Sequence, residues 1–405
     1  MDKIKLGIIK EGKVPVDHRV PFTPEETKEL SDKFDNLEVV CQSSDIRCYD
    51  DEEYLNNGTP VVTKVSDCDV LMGVKEVPID QLIPSKTYFF FSHTTKKQPY
   101  NRELLRAILD KKIRLIDYEN LTDSNGTRVV AFGRYAGIVG AYNGVLTFGK
   151  RYRLFELKPA HECFDMAEMQ SEYAKVKLPA IKIIVTGGGR VTKGAMEVLN
   201  GMGIRKVSPA QFINEDYREP VYTQLNTRDY NKAKNGSLFV RQEFYDAPNK
   251  YEGDFLKYAK EADLMIAGAF WDPKAPVLFK REDILKDDFK IKVIADITCD
   301  IEGSIPSTKR PSTIDDPVYD YNPSDGKVEP ALKDEANITV MAVDNLPCEL
   351  PRNASEDFGR ELIDNVMPHL LSSDAEEVIK RATITENGKL TEKFAYLQDY
   401  VDGKQ

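Results

Sequence analysis

The sequence predicts an α/β protein of two doubly wound domains, each a mostly parallel sheet flanked by helices. Short apolar runs of strand length alternate with amphipathic helical patterns along most of the chain. Midway, a glycine-rich turn joins one such run to a helix, as at the start of a dinucleotide-binding fold. The 405 residues suit two domains of about 100–200 residues each. With 41% hydrophobic and 30% charged residues the chain has the material for a buried core, which excludes global disorder. The 56 basic residues against 67 acidic ones leave a formal charge of -11, the wrong sign for binding nucleic acid through counterion release. No apolar run approaches the ~18 residues of a membrane span, and the charged start Met-Asp-Lys-Ile-Lys does not read as a signal peptide, so a cytoplasmic protein is expected. The six cysteines lack CxxC spacing, so all are expected reduced, with no metal site and no disulfide framework.

In order along the chain, Ile4 to Ile9 reads as the first strand, and Thr23-Pro24-Glu25-Glu26 opens a helix with a capping box and a proline at its first position. Further strands are expected at Val70 to Val74, Tyr88 to Ser92, Ile113 to Tyr118 and Val129 to Phe132, with an amphipathic helix from Asn101 to Lys112. Arg134 to Arg151 is rich in small residues and then basic, which suits a close-packed helix leaving the first domain. The second series places strands at Ile181 to Val185, Ile204 to Val207, Leu264 to Ala267, Lys292 to Ile297 and Ile338 to Val343. Ser304 to Pro330, with many Pro, Ser and Asp residues, reads as a long loop.

The strongest local signal is the glycine turn, Gly187, Gly188 and Gly189, between the strand ending at Val185 and the helix that follows. Such a turn lets the backbone approach a pyrophosphate and aims helix N–H groups at its charge. Thr192 stands where a third glycine is usual, and Gly194 follows two residues later. Ala195, where a lysine would be needed, rules out a P-loop. About 20 residues on, where a carboxylate would bind a ribose hydroxyl, stands Ser208. With Arg190, Arg205 and Lys206 near it, a 2′-phosphate could be accepted there, which favours NADP(H) and leaves NAD(H) open.

Ligand sites of α/β sheets gather at the C-terminal ends of strands. His93 follows the run Tyr88 to Ser92, Lys75 follows Val70 to Val74, and Glu119 follows Ile113 to Tyr118. These three titratable groups form the candidate constellation, whereas His18, His161 and His369 lack such a setting and read as structural. No GxSxG or HExxH motif occurs, and Cys299 reads as a strand-end thiol and not a nucleophile.

Several of these segments, Gly73-Val-Lys75-Glu76-Val-Pro78, Ser92-His93-Thr-Thr-Lys-Lys-Gln98, Arg114-Leu-Ile-Asp-Tyr-Glu119, Arg128-Val-Val-Ala-Phe132 and Asp344-Asn-Leu-Pro347, resemble the alanine dehydrogenase and saccharopine dehydrogenase superfamily. Within it the chain is most similar to the lysine-ketoglutarate reductases, the lysine-forming saccharopine dehydrogenases. The resemblance implies two Rossmann-like domains with the active site in the cleft between them: residues 1–135 with 350–405 as the substrate domain, and residues 136–349 as the dinucleotide-binding domain. It implies an NAD(P)-dependent oxidoreductase that interconverts lysine, 2-oxoglutarate and reduced cofactor with saccharopine, without a metal.

By the same resemblance Lys75 and His93 are the acid/base pair, their individual roles open. Arg19, Glu76, Gln98, Glu119, Arg128 and Phe132 line the substrate site, with arginines suited to bind carboxylates bidentately. Arg190, Val191, Ile266, Val343, Asp344, Asn345 and Leu346 match nucleotide-contacting segments. Two alternatives compete: an alanine dehydrogenase-like enzyme acting on pyruvate and ammonia, and a catalytically silent nucleotide-binding regulator.

Overall fold

The computed structural model describes residues Lys3 to Lys404. The chain divides into two compact units, one running through Phe132 and resuming at Pro351, the other spanning Gly133–Leu350. Gly133, where the second unit starts, also begins that unit's first helix, Gly133–Tyr152.

In the first unit Ile4–Ile8 (β1), Leu37–Gln42 (β2), Val61–Val62 (β3), Val70–Met72 (β4), Thr87–Phe90 (β5) and Arg114–Asp117 (β6) run parallel in the order β6-β5-β4-β1-β2-β3. An antiparallel pair from the C-terminal region, Thr383–Glu386 and Lys389–Leu390, extends the sheet beyond β6. Both faces are covered. Leu71, Tyr88 and Phe90 pack with Leu105 and Ile108 of helix Arg102–Asp110, while Met72, Phe89 and Ile116 pack with Leu30 and with Phe358 and Leu362 of helix Pro351–Asn365. Burial on both sides is why these strands read as unbroken apolar runs. Helix Pro24–Lys33 starts as its sequence dictates: Thr23 Oγ1 accepts the Glu26 N–H at 3.3 Å and Glu26 Oε2 accepts the Thr23 N–H at 2.8 Å.

Val129 to Phe132 is not a strand. The edge of β6 it would have joined is occupied by Thr383–Glu386, and its backbone is satisfied otherwise: the Val129 N–H donates to Leu121 O at 3.0 Å and the Ala131 N–H to Glu361 Oε2 at 2.8 Å.

The second unit holds Lys182–Thr186 (β7), Arg205–Val207 (β8), Val221–Leu225 (β9), a separate ribbon of Asn231–Ala233 (β10) and Tyr251–Gly253 (β11), then Leu264–Ala267 (β12), Val293–Asp296 (β13), Val318–Tyr321 (β14), Val328–Glu329 (β15) and Ile338–Met341 (β16). Its sheet order is β15-β14-β16-β13-β12-β7-β9-β8, with every pairing parallel except those of β14 with β16 and with β15. Those two lie inside Ser304 to Pro330, the stretch expected to be a loop. Asp320 hid β14 in the sequence by placing a carboxylate at mid-strand; the structure buries it on Thr339 Oγ1 at 2.7 Å.

Helices Gly133–Tyr152 and Arg190–Gly201 meet backbone to backbone. A Cβ at Gly137 would stand 1.8 Å from Val191 O, and one at Gly194 would stand 2.0 Å from Arg134 O. Gly194 thus does the close packing usually given to the third glycine of the turn. Among the described residues all six cysteines are free, and no helix is long and apolar enough to cross a membrane.

Candidate functional site

Four adjacent strands of the first unit deliver the titratable groups. Register aligns Ile8, Met72, Phe89 and Ile116 in one row across β1, β4, β5 and β6. Glu11, Lys75 and Glu119 each follow that row by three residues and His93 by four, so the parallel sheet presents all of them at one end. Lys75, His93 and Glu119 are the constellation expected from the sequence. Glu11 is an addition to it, legible in hindsight because it follows β1 as the others follow their strands.

Glu76 is the hub. Its Oε1 lies 2.6 Å from His93 Nδ1 and its Oε2 accepts from Lys13 Nζ at 2.6 Å. Burial alone would push the Glu76 carboxyl up, but the His93 and Lys13 bonds outweigh it and hold the group down at about 2. His93 itself sits in the left-handed region at φ 52°, the turn that swings its ring back toward Glu76.

Lys75 is held through its backbone. Glu11 accepts the Val74 N–H at 2.6 Å and the Lys75 N–H at 2.9 Å. Burial, reinforced by the Asp17 charge, pushes the Glu11 carboxyl up to about 8 against those two bonds. Burial likewise brings the Lys75 ammonium below its usual range; the Arg19 charge adds to the effect and Asp17 opposes it. A lysine in this environment can exchange a proton nearer neutrality than an exposed one.

Arg19 was expected to meet a substrate carboxylate. The structure places it 3% exposed, its Nε and Nη2 on the two Asp17 oxygens at 3.0 and 2.6 Å and its guanidinium 4.1 Å over the Phe132 ring. Burial would raise the Asp17 carboxyl, yet the paired arginine carries it well below the carboxylate range. Phe132 in turn stacks on Phe358 with centroids 4.3 Å apart. Glu119 receives Lys96 at 3.0 Å and Arg128 at 3.4 Å, and these cations overcome burial to lower its carboxyl. Gln98 stands apart from this network: its side chain accepts from the exposed Tyr100 hydroxyl, and its carbonyl from Tyr400 Oη at 2.5 Å. Lys13 and Asp17, like Glu11, were not singled out from the sequence; all three fall in the loop after β1 that also carries Arg19.

In the second unit β7 runs into Gly187, whose φ of 103° turns the chain. Thr192, in the place of a third glycine, is fully buried and donates to Thr186 O at 3.0 Å, closing the turn. Among the described residues no side chain caps the helix that begins at Arg190, and a Cβ at Gly189 would meet none of them within 4 Å. A 12-residue helix that starts without a side-chain cap beside an unobstructed glycine is what a pyrophosphate requires, so these residues fit a dinucleotide. Arg190 and Val191 are part-exposed at that helix start, and Asp344 and Asn345 follow β16 with Asp344 exposed. Ile266, Val343 and Leu346 are no more than 2% exposed, so the structure buries these three expected nucleotide contacts. Ser208 caps helix Pro209–Asn214, its hydroxyl accepting the Gln211 N–H at 3.2 Å.

The remaining histidines each contact a group of the protein: His18 bonds Ile46 O, His161 lies 3.8 Å from the buried Glu349 and His369 lies 3.7 Å from Asp374. Cys299 donates to Ala342 O at 3.2 Å, and burial together with Asp344 pushes its thiol up to about 12, far from a reactive thiolate.

A fold of two parallel-sheet units, with titratable strand ends on one and a glycine turn on the other, defines an α/β protein of two Rossmann-like units. Two family models match the chain: alanine dehydrogenase/PNT, N-terminal domain, over residues 7–139 and alanine dehydrogenase/PNT, C-terminal domain, over residues 160–393. The chain belongs to the alanine dehydrogenase/PNT family. It is 29% identical to the mitochondrial alpha-aminoadipic semialdehyde synthase of Mus musculus over 96% of its own length and 47% of that protein's, so the chain spans about half of that relative. The saccharopine dehydrogenase [NAD(+), L-lysine-forming] of Yarrowia lipolytica is 26% identical over 90% of this chain and 92% of that one. Among solved structures, an L-alanine dehydrogenase superposes with a TM-score of 0.66 at 16% identity, covering 99% of this chain and all of the other, a likeness of fold.

Proposed function

We propose that the chain is a pyridine-nucleotide-linked oxidoreductase that joins L-lysine to 2-oxoglutarate as saccharopine, reversibly, with NADP(H) as the preferred cofactor. The observation that carries this reading is a lysine of lowered pKa and a carboxylate-held histidine presented by adjacent strands, in a chain similar to lysine-forming saccharopine dehydrogenases.

The chemistry divides among these groups. The ε-ammonium of lysine must lose a proton before its nitrogen can attack the ketone, and Lys75, with its lowered pKa, accepts it. C–N bond formation yields a carbinolamine whose hydroxyl leaves as water only if protonated; His93, oriented by Glu76, donates that proton. Loss of water leaves a protonated imine between the two substrates, which hydride converts to the secondary amine. A reduced nicotinamide bound at the glycine turn would supply hydride to the imine carbon. Arg128 and Lys96, gathered on Glu119, provide positive charge for the substrate carboxylates, while Arg19 acts on Asp17 and Lys75 from its buried pair.

Initial rates measured with NADPH or NADH, and with either lysine plus 2-oxoglutarate or ammonium plus pyruvate, test the reading once the product is identified by mass. Saccharopine formation is expected. Cofactor consumption with ammonium and pyruvate alone would replace the reading with an alanine dehydrogenase, and no consumption with either pair would leave the regulator.

A further inference from the structure

The strand that adjoins the glycine-turn strand is not the one next in the chain. Thr186 of β7 pairs with Leu225 of β9, and Thr223 of β9 pairs with Val207 of β8, so β8 is displaced one place outward to the edge of the sheet. The strand end beside the turn is therefore Leu225-Asn226, and it touches the turn directly. The Gly187 N–H donates to Leu225 O at 2.8 Å, Gln224 Nε2 donates to Gly187 O at 3.1 Å, and a Cβ at Gly188 would approach Asn226 Oδ1 to 2.8 Å. Ser208, where counting along the sequence put the ribose, spends its hydroxyl on Gln211, accepting its N–H at 3.2 Å and donating to its Oε1 at 3.0 Å.

We propose that the loop Asn226–Asp229 after β9, and not the end of β8, reads the adenosine ribose of the dinucleotide, with Arg228 receiving a 2′-phosphate. The inference rests on the dinucleotide reading given above and assigns its specificity to particular residues. In a doubly wound sheet the ribose lies beyond the strand beside the glycine-turn strand, a rule of position in the sheet. A site for an unphosphorylated ribose offers a carboxylate to its hydroxyls. The loop's own carboxylate, Asp229, is turned inward: its Oδ2 accepts the Asn226 N–H at 2.7 Å and its side chain is 19% exposed. Arg228 is 73% exposed, its Nε 3.9 Å from Asp229 Oδ1, which leaves its guanidinium edge facing solvent where a phosphate can meet it in a forked, charge-assisted contact. Lys206 Nζ, donating to Gln224 Oε1 at 2.8 Å, adds a second positive charge beside the turn.

Equilibrium titration of the whole chain with NADPH and with NADH, by calorimetry and without substrates, tests this. The unaltered chain is expected to bind NADPH more tightly. Arg228→Ala is expected to weaken NADPH by about 10- to 100-fold and leave NADH unchanged, with Arg228→Lys recovering part of the loss. Ser208→Ala should alter neither. Equal effects of Arg228→Ala on the two nucleotides, or a selective loss of NADPH in Ser208→Ala, would overturn the assignment. An unaltered chain that binds neither nucleotide would instead remove the dinucleotide reading on which it rests.

Discussion

Glu76 joins His93 to Lys13: one carboxylate oxygen lies 2.6 Å from the imidazole Nδ1 and the other accepts from the ammonium at 2.6 Å. This bridge orients the histidine that the proposed reaction uses as an acid, and it ties the loop after β1 to the ends of β4 and β5.

The bridge makes a stability prediction. The Glu76 carboxyl is held at about 2 in the folded chain against an ordinary value of 4.5, so its contribution is present above 4.5 and is lost as pH falls toward 2. Relative to Glu76→Gln, the native chain is expected to be more stable near neutrality by on the order of 3 kcal/mol, with the difference shrinking below about pH 4.5. Urea unfolding at a series of pH values measures it, and a difference independent of pH would contradict it.

Glu11 and Glu26 act in the opposite sense. Burial raises both to about 8, so each contributes stability below 4.5 that is lost as pH rises through 8. Glu11→Gln and Glu26→Gln are expected to flatten the decline in thermal midpoint between about pH 5 and 8. An unchanged slope in both variants would show that the folded carboxyls titrate normally.

Loss of either proton-transfer group should slow chemistry more than binding. Lys75→Met and His93→Gln are each expected to lower turnover by about 10²- to 10⁴-fold, the range for a lost general acid or base. Dinucleotide affinity, measured separately, should stay within about twofold, because the glycine turn belongs to the other unit. A variant that keeps full turnover would remove that residue from the mechanism.

The helix contact under the glycine turn predicts a structural defect. A methyl at Gly194 or Gly137 would run into carbonyl oxygens at 2.0 and 1.8 Å, which rigid backbone cannot relieve. Gly194→Ala and Gly137→Ala are each expected to cost about 1–3 kcal/mol or more in chemical denaturation and to weaken dinucleotide binding. Gly189→Ala, with nothing within 4 Å of the added carbon, should spare stability and affect binding alone.

Much of the fold was legible because parallel strands covered on both faces leave continuous apolar runs. The strand ends carrying Lys75, His93 and Glu119 could be located the same way. Glu11, Lys13 and Asp17 were harder to find, since a charged loop after an apolar strand has no pattern that separates buried from solvated carboxylates. Gln98, Arg19 and Ser208 show the converse: a residue type suited to a ligand was found, and the structure gives each a partner within the protein.

By itself the sequence determined the α/β class, the glycine turn and three strand ends, because periodicity and turn chemistry are local properties of a chain. The tertiary structure decided what depends on neighbours distant in sequence. The C-terminal strand Thr383–Glu386 claimed the edge of β6 and left Val129 to Phe132 without a place in the sheet. The insertion of β9 between β7 and β8 moved the strand end beside the glycine turn from Ser208 to Asn226. Strand order follows from which surfaces bury each other, and burial between residues far apart in the chain leaves no local trace to read.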